Sequence, residues 1–247
     1  FQADISNAND WHTALSIVYL DSFKKANFDF YINIKSVFSI HNVEFQGKYN
    51  PYVLGSLFGL SNDYLDIMTF DNDINLLKAG VQLADRVNTV SESYANELLD
   101  PYFSFGLSSI FQDERIKLRG IVNGIDYQRY NPYNDSAIAH RYSKNTFKTE
   151  YKVKNKLALQ KKMDLEVNPD IPLIGMVGRL TDQKGINIVL EVAEQIVDMG
   201  TQLIILGTGY EMYENALRDL EFKRHDRIRS IIMFSNDLAS EIYAGSD

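Results

Sequence analysis

A chain of 247 residues, 45% hydrophobic and 23% charged, has the apolar content for a packed core and the length for two domains of about 100–150 residues each. Its formal net charge of -8 argues against a general nucleic-acid binder, because phosphate backbones are held by surplus lysine and arginine, although a local cationic pocket stays open. With no cysteine there is neither a disulfide framework nor a thiolate metal site, which fits a reducing cytoplasm, and no run of about 18 apolar residues is present to span a bilayer.

In chain order, Asn7 to Asp10 reads as an Asn-rich turn opening a helix from Trp11 to about Lys24, with Ala14, Leu15, Val18 and Phe23 at helical offsets. Ser36 to Ile40 reads as a buried strand that delivers a polar loop at His41 and Asn42. Past an irregular stretch with Gly47, Pro51 and Gly55, residues Ile74, Leu77, Val81 and Ala84 mark one helical face, with Asp71 to Asp73 as cap candidates. Arg86 to Val90 is strand-like, and Ser91 is placed to cap the next helix, with Glu92 in its first turn to complement the helix dipole.

Asn123-Gly124 is the strongest turn dipeptide in the chain and is followed by a polar stretch with Asn131, Pro132 and Asn134. The domain crossing is placed there, giving an expected division into residues 1–126 and 127–247. Ser143 to Asp164 is Lys-rich and reads as one or two surface helices. In the second half, strands are expected at Pro172 to Val177, Gln202 to Leu206 and Ser230 to Phe234. They alternate with helices at Gly185 to Asp198, Tyr210 to Leu220 and Asp237 to Ala244. Strands and helices alternating at these lengths imply an α/β fold with parallel sheets and helices on both faces. The amino end carries neither an initiator Met nor a signal core, and both ends read as boundaries cut from something longer.

Parallel α/β sheets place ligands beyond the carboxyl ends of their strands, so chemistry is sought in the strand-to-helix loops. The loop from Gly178 to Gly185 puts Arg179 and Lys184 five positions apart between glycines. Arginine can fork onto a diphosphate while lysine supplies a point charge beside it; the competing reading is a pair of solvated loop charges. Gly207, Thr208 and Gly209 have the same placement, and tight turning explains these glycines as well as close approach to a ligand. Asn9-Asp10-Trp11-His12 and Ile40-His41-Asn42 open two further loops with groups suited to sugar hydroxyls. The four histidines (His12, His41, His140, His225) show no metal-ligand spacing. Neither a Gly-x-Ser-x-Gly elbow nor a phosphate loop of the Gly-x-x-x-x-Gly-Lys-Ser/Thr kind is present.

Seven strings occur in an order and spacing that resemble bacterial glycogen synthases and plant starch synthases. They are Asn9-Asp10-Trp11-His12-Thr13-Ala14, Ile40-His41-Asn42 with Gln46-Gly47, Asn75 to Gly80, Thr89-Val90-Ser91, Asn123-Gly124-Ile125-Asp126, Gly178 to Gly185, and Leu206 to Gly209. The resemblance implies two Rossmann-like domains facing across a cleft, the GT-B arrangement, both incomplete here. The first would be the acceptor side and the second the nucleotide-sugar side. It implies transfer of glucose from ADP-glucose, or UDP-glucose in some relatives, to the nonreducing end of an α-1,4-glucan, with retention and without a metal or organic cofactor. By the same resemblance, Arg179 and Lys184 bind the diphosphate and stabilise the leaving group, His41 contacts the donor glucose, and Asp10 lines its pocket. Gly178, Gly207, Thr208 and Gly209 complete the nucleotide site. The implied partners are a sugar nucleotide and an α-glucan, with no nucleic acid and no membrane, in the cytoplasm or a plastid.

The family's Lys-x-Gly-Gly-Leu loop and its later loop of Glu followed by a Pro-x-Gly-Leu-like string are absent from the sequence, so this piece alone is expected to be weak or inactive. Ser240 stands where many relatives have His. Two other readings stay open: a noncatalytic nucleotide- or glucan-binding module, and another retaining transferase of the same architecture, such as a sucrose-synthesising relative.

Overall fold

In the computed structural model, which describes residues 3–146 and 150–247, the chain divides into two units, Phe1–Gly124 and Ile125–Asp247. The division falls two residues before the expected one.

The first unit opens with β1 (Ile5–Asn9) and α1 (Asp10–Lys25), then α2 (Asp29–Ile32) and β2 (Lys35–Ile40). The expected Asn-rich turn is therefore the end of a strand. Ala8 is buried, and Asn7 and Asn9 pair in parallel with Val37 and Ser39, a pairing that overrides the turn preference of asparagine. A small antiparallel ribbon follows, made of β3 (Lys48–Tyr49), β4 (Thr69–Phe70) and β5 (Asp73–Asn75), with α3 (Val53–Ser56) and α4 (Leu65–Met68) between its first two strands. Ile74 was expected on a helix and instead lies in this ribbon. Asp71 and Asn72 form its turn at φ 51° and 66°, and α5 (Leu76–Leu83) is capped by Asn75, whose side chain accepts from the Lys78 amide. Next come β6 (Arg86–Thr89), α6 (Glu92–Glu97), α7 (Ser108–Asp113) and β7 (Leu118–Gly120). Ser91 caps α6 by accepting from the Tyr94 amide, as its sequence position predicts.

The parallel strands run in the order β1-β2-β6-β7. Ala8, Phe38, Ile40 and Val87 of the sheet share a core with Ala14, Ile17 and Val18 of α1 and Leu77 and Val81 of α5. α5 lies close to the sheet at Gly80, where a Cβ would come within 2.7 Å of the Phe38 ring.

The second unit holds α8 (Glu150–Lys162), β8 (Leu173–Val177), α9 (Ile186–Asp198), β9 (Gln202–Leu206), α10 (Glu211–Lys223), β10 (Ile228–Ile231) and α11 (Asn236–Gly245). Of the Lys-rich stretch expected to be helical, residues 143–146 form a turn, 147–149 lie outside the described residues, α8 supplies 150–162, and 163–164 form a turn. The sheet is parallel in the order β10-β9-β8, with all five residues of the central β9 buried. α9 packs Ile186, Ala193 and Val197 inward, at the spacing read from the sequence. The last strand starts two residues earlier than expected and ends at Ile231, because buried Ile228 pairs with Leu203. Met233 and Phe234 are thereby left beyond the strand, exposed.

Candidate functional site

In the second unit the parallel pairing of β8 and β9 continues past both strands. The Gly178 amide donates to the Leu206 carbonyl (3.0 Å), Leu180 to Thr208 (2.9 Å) and Tyr210 to Leu180 (3.0 Å). The two loops cross so closely that a Cβ on Gly207 would sit 1.9 Å from the Gly178 oxygen, and one on Gly209 would sit 2.1 Å from the Leu180 oxygen. Backbone meeting backbone is therefore sufficient reason for these two glycines. Around Gly178 itself the same construction meets nothing within 4 Å.

Beyond the crossing, Asp182–Lys184 forms one 3-10 turn that ends at Gly185, whose φ of 71° suits glycine and starts α9. The Tyr213 hydroxyl of α10 donates to the Asp182 carboxylate and ties this turn down. Arg179 and Lys184 are exposed, and neither forms an ion pair among the described residues.

These loops border a cavity of about 460 Å³ lined by Gly178, Arg179, Leu206, Gly207 and Thr208 on one side. The other side is built from Arg129, Tyr130 and Asp135 of the irregular segment, from Met233 and Phe234, and from Ser235, Asn236, Ser240 and Tyr243 at α11. Ser235 caps α11 by accepting from the Leu238 amide, so the positive end of a ten-residue helix lies at the cavity wall. The Arg129 guanidinium donates to the Asn236 side chain and lies 5.5 Å from the centre of the Tyr130 ring. A guanidinium and a helix N-terminus suit a polyanionic ligand. The exposed Phe234 ring, 81% accessible, suits a flat aromatic group stacked on it. Of the residues expected to bind nucleotide, Gly178, Arg179, Gly207 and Thr208 line this cavity; Lys184 stands on the neighbouring turn and Gly209 lies in the backbone crossing.

In the first unit the turn from β1 into α1 brings Asp10 and His41 together. Asp10 adopts a left-handed φ of 53°, which is uncommon for a residue other than glycine. Its Oδ1 accepts from the His41 amide at 2.8 Å and the Asn42 amide at 3.4 Å. The His41 ring is held in turn, its Nε2 lying 3.0 Å from the Asn9 Oδ1. Two residues on, Val43 donates its amide to the Tyr94 hydroxyl at 3.1 Å, and burial pushes that hydroxyl above its ordinary 10.0.

The far end of the same loop is locked by a buried amide pair, Asn75 Nδ2 donating to Gln46 Oε1 at 2.7 Å while Gln46 Nε2 donates to the Phe105 carbonyl at 3.0 Å. Gly47 is required there because a Cβ would sit 2.5 Å from the Trp11 ring. Lys78 turns inward to donate to the carbonyls of Asp66 (2.7 Å) and Ile67 (2.8 Å), and burial lowers its pKa. The catalytic candidates thus fall into two sets in different units, His41 with Asp10 in the first and Arg179 with Lys184 in the second. Sequence reasoning gave no role to Arg129, Phe234 or Tyr243. The one signal that could have found them is an apolar pair, Met233-Phe234, placed just past a strand's carboxyl end. Among the described residues no cluster of three or more His, Asp or Glu could hold a metal ion.

Comparison with known proteins adds the following. Residues 1–113 match the family model of the starch synthase catalytic domain. The glycogen synthase of Lactobacillus acidophilus is 43% identical over 249 residues, covering 100% of this chain and 52% of the relative. The glycogen synthase of Streptococcus uberis is 44% identical over 249 residues, again covering 100% of this chain and 52% of the relative. The catalytic domain of starch synthase IV from Arabidopsis thaliana, solved bound to ADP and acarbose, superposes with a TM-score of 0.88 at 29% identity, covering 100% of this chain and 51% of that one. The chain spans about half the length of the curated relatives it matches.

Proposed function

The chain belongs to the family of bacterial glycogen synthases and starch synthases, and from that premise we propose that the whole protein transfers glucose from a nucleoside diphosphate glucose, ADP-glucose first, to the nonreducing end of an α-1,4-glucan. The observation that carries the reading is the cavity at the carboxyl ends of β8 and β9, where Arg179 and the N-terminus of α11 meet the exposed ring of Phe234 beside the glycine turns at Gly178 and Gly207. The diphosphate would lie against Arg179, and the base against Phe234.

Departure of a nucleoside diphosphate builds negative charge on its phosphate oxygens. Cations fixed in advance stabilise that charge without reorganising. In this reading Arg179 supplies a forked donor to the diphosphate, and Lys184 brings a second positive charge from the adjacent turn. His41, gripped at its main chain by Asp10, offers a ring nitrogen to the donor glucose. No metal or organic cofactor takes part. The glucan is the acceptor partner, and both substrates are met in the cytoplasm or a plastid; no helix among the described residues is long and apolar enough to cross a membrane.

Isothermal titration of ADP and of UDP into the chain, and into the Arg179→Ala, Lys184→Ala double variant, tests the site. Loss of a hydrogen bond to a charged group costs about 1.5–3 kcal/mol, so the double variant is expected to bind the preferred nucleotide at least about tenfold more weakly. Equal binding by both proteins, or no binding of either nucleotide to the unmodified chain, would refute the assignment of the cavity.

A further inference from the structure

His41 is held at two points by two consecutive residues, and only one of those points concerns its chemistry. Asp10 grips the main-chain amide (2.8 Å), which places the residue. Asn9 meets the ring itself at Nε2 (3.0 Å). Asn9 is the last residue of β1 and sits in register with Ser39 of β2, which is in register with Asn88 of β6. The Ser39 hydroxyl donates to the Asn88 side chain at 2.8 Å. The asparagine therefore stands on a sheet edge whose spacing is set by the parallel ladder, a firmer base than a loop. His41 is exposed, and its Nδ1 has no partner among the described residues.

We propose that Asn9 is a positioning residue for His41. Its side-chain oxygen accepts from Nε2–H, fixes that proton on Nε2, and leaves Nδ1 as a bare lone pair facing outward. Which ring nitrogen of a histidine carries the proton is set by the hydrogen bond that the other atoms of the ring make. A neutral ring locked this way is an acceptor toward solvent, the role that a donating sugar hydroxyl requires; a ring in the opposite tautomer would present an N–H there and could engage that hydroxyl only as an acceptor. The functional half of the inference rests on the reading of His41 as a contact of the donor sugar, whereas the tautomer itself does not depend on it.

The test is nitrogen-15 spectroscopy of ring-labelled histidine in the chain, at a pH of about 8.5 where imidazoles are neutral, with His41→Gln to assign the signals. In the unmodified chain the two ring nitrogens of His41 should show the wide shift separation of a single tautomer, protonated at Nε2. Asn9→Asp, which keeps the accepting oxygen, should preserve that pattern. In Asn9→Leu the separation should collapse toward the value of free imidazole, while the signals of His140 and His225 in the second unit stay in place. A His41 protonated at Nδ1 in the unmodified chain would overturn the proposal without any variant, and so would an unaltered pattern in Asn9→Leu. The readout needs neither substrate nor turnover, so a chain that binds no nucleotide would sink the functional reading above while leaving this one to stand or fall by itself.

Discussion

Replacing Gly207 or Gly209 by alanine should destabilise the second unit before it affects any ligand. The added methyl would lie 1.9 Å from the Gly178 oxygen in one case and 2.1 Å from the Leu180 oxygen in the other, so the two loops must part by roughly 1.5 Å to reach even the near end of the ordinary contact range, 3.4–4 Å. That displacement works against the bonds from Leu180 to Thr208 and from Tyr210 to Leu180. Each such bond contributes about 1 kcal/mol net, and overpacking adds about 1–3 kcal/mol. A loss of about 3–5 kcal/mol is then expected against a typical total of about 5–15 kcal/mol, or a fall in melting temperature of more than about 10 °C for a unit of this size. Gly178→Ala is the control. Its Cβ meets nothing within 4 Å, so the melting temperature should hold within about 2 °C while nucleotide affinity falls, because the methyl enters the cavity. Thermal unfolding by circular dichroism, paired with ADP titration, separates the two effects. If Gly207→Ala melts like the unmodified chain and loses only nucleotide binding, the glycine serves the ligand and the account of the crossing is wrong.

Asp10→Asn retains an oxygen that can accept from the His41 and Asn42 amides, whereas Asp10→Ala does not. Hydrogen exchange at those two amides should stay slow in the first variant and accelerate at least about tenfold in the second; equal acceleration in both would mean that the carboxylate charge, and not the acceptor, holds the loop. Asp85 is raised by burial but brought below its ordinary 3.8 by the amide and hydroxyl of Ser36 and by Lys35 and Lys24. Its stabilising contribution is therefore present above that value and disappears as pH falls through the lowered one. In urea titrations the stability gap between the unmodified chain and Asp85→Asn should be clear at about pH 6 and shrink by about pH 3, and a gap independent of pH would refute the charge account.

Legibility in the sequence followed the length of each element and the origin of its partners. α9 and β9 were read within a residue because an unbroken apolar pattern fixes a helix face or a buried strand by itself. β1 was missed because its last four positions, Ser6, Asn7, Ala8 and Asn9, are all polar or small, and only the pairing with β2 makes them strand. The antiparallel ribbon has strands of two and three residues, too short to carry a period. For the site, Arg179 and His41 could be singled out because each follows a strand legible in the sequence, where position alone argues for a role, whereas Asp10 stood out as a polar loop opening and through the family resemblance. Arg129 could not. Its partner Asn236 is 107 residues away, and no local pattern announces such a meeting.

The strings that made the family resemblance specific divide, in the structure, into groups that can touch a ligand and groups that hold those groups in place. Gln46, Asn75 and Lys78 are buried and spend their polar atoms on one another or on backbone carbonyls. Each is costly to replace, because an apolar substitute leaves its partner buried and unpaired, at about 1–3 kcal/mol. A residue with that many obligations looks from sequence like a functional residue, and the two kinds are told apart only by where the side chain ends. The same reasoning explains why Asp10 tolerates a left-handed backbone. The strain of such a conformation, of order 1–3 kcal/mol, is opposed by two amides of a loop that is itself fixed at Val43 and at Gln46. Rigidity at His41 is thus the sum of contacts spread over some 97 residues of sequence, from Asn9 to Phe105, and the His41 end of the loop has few internal bonds of its own.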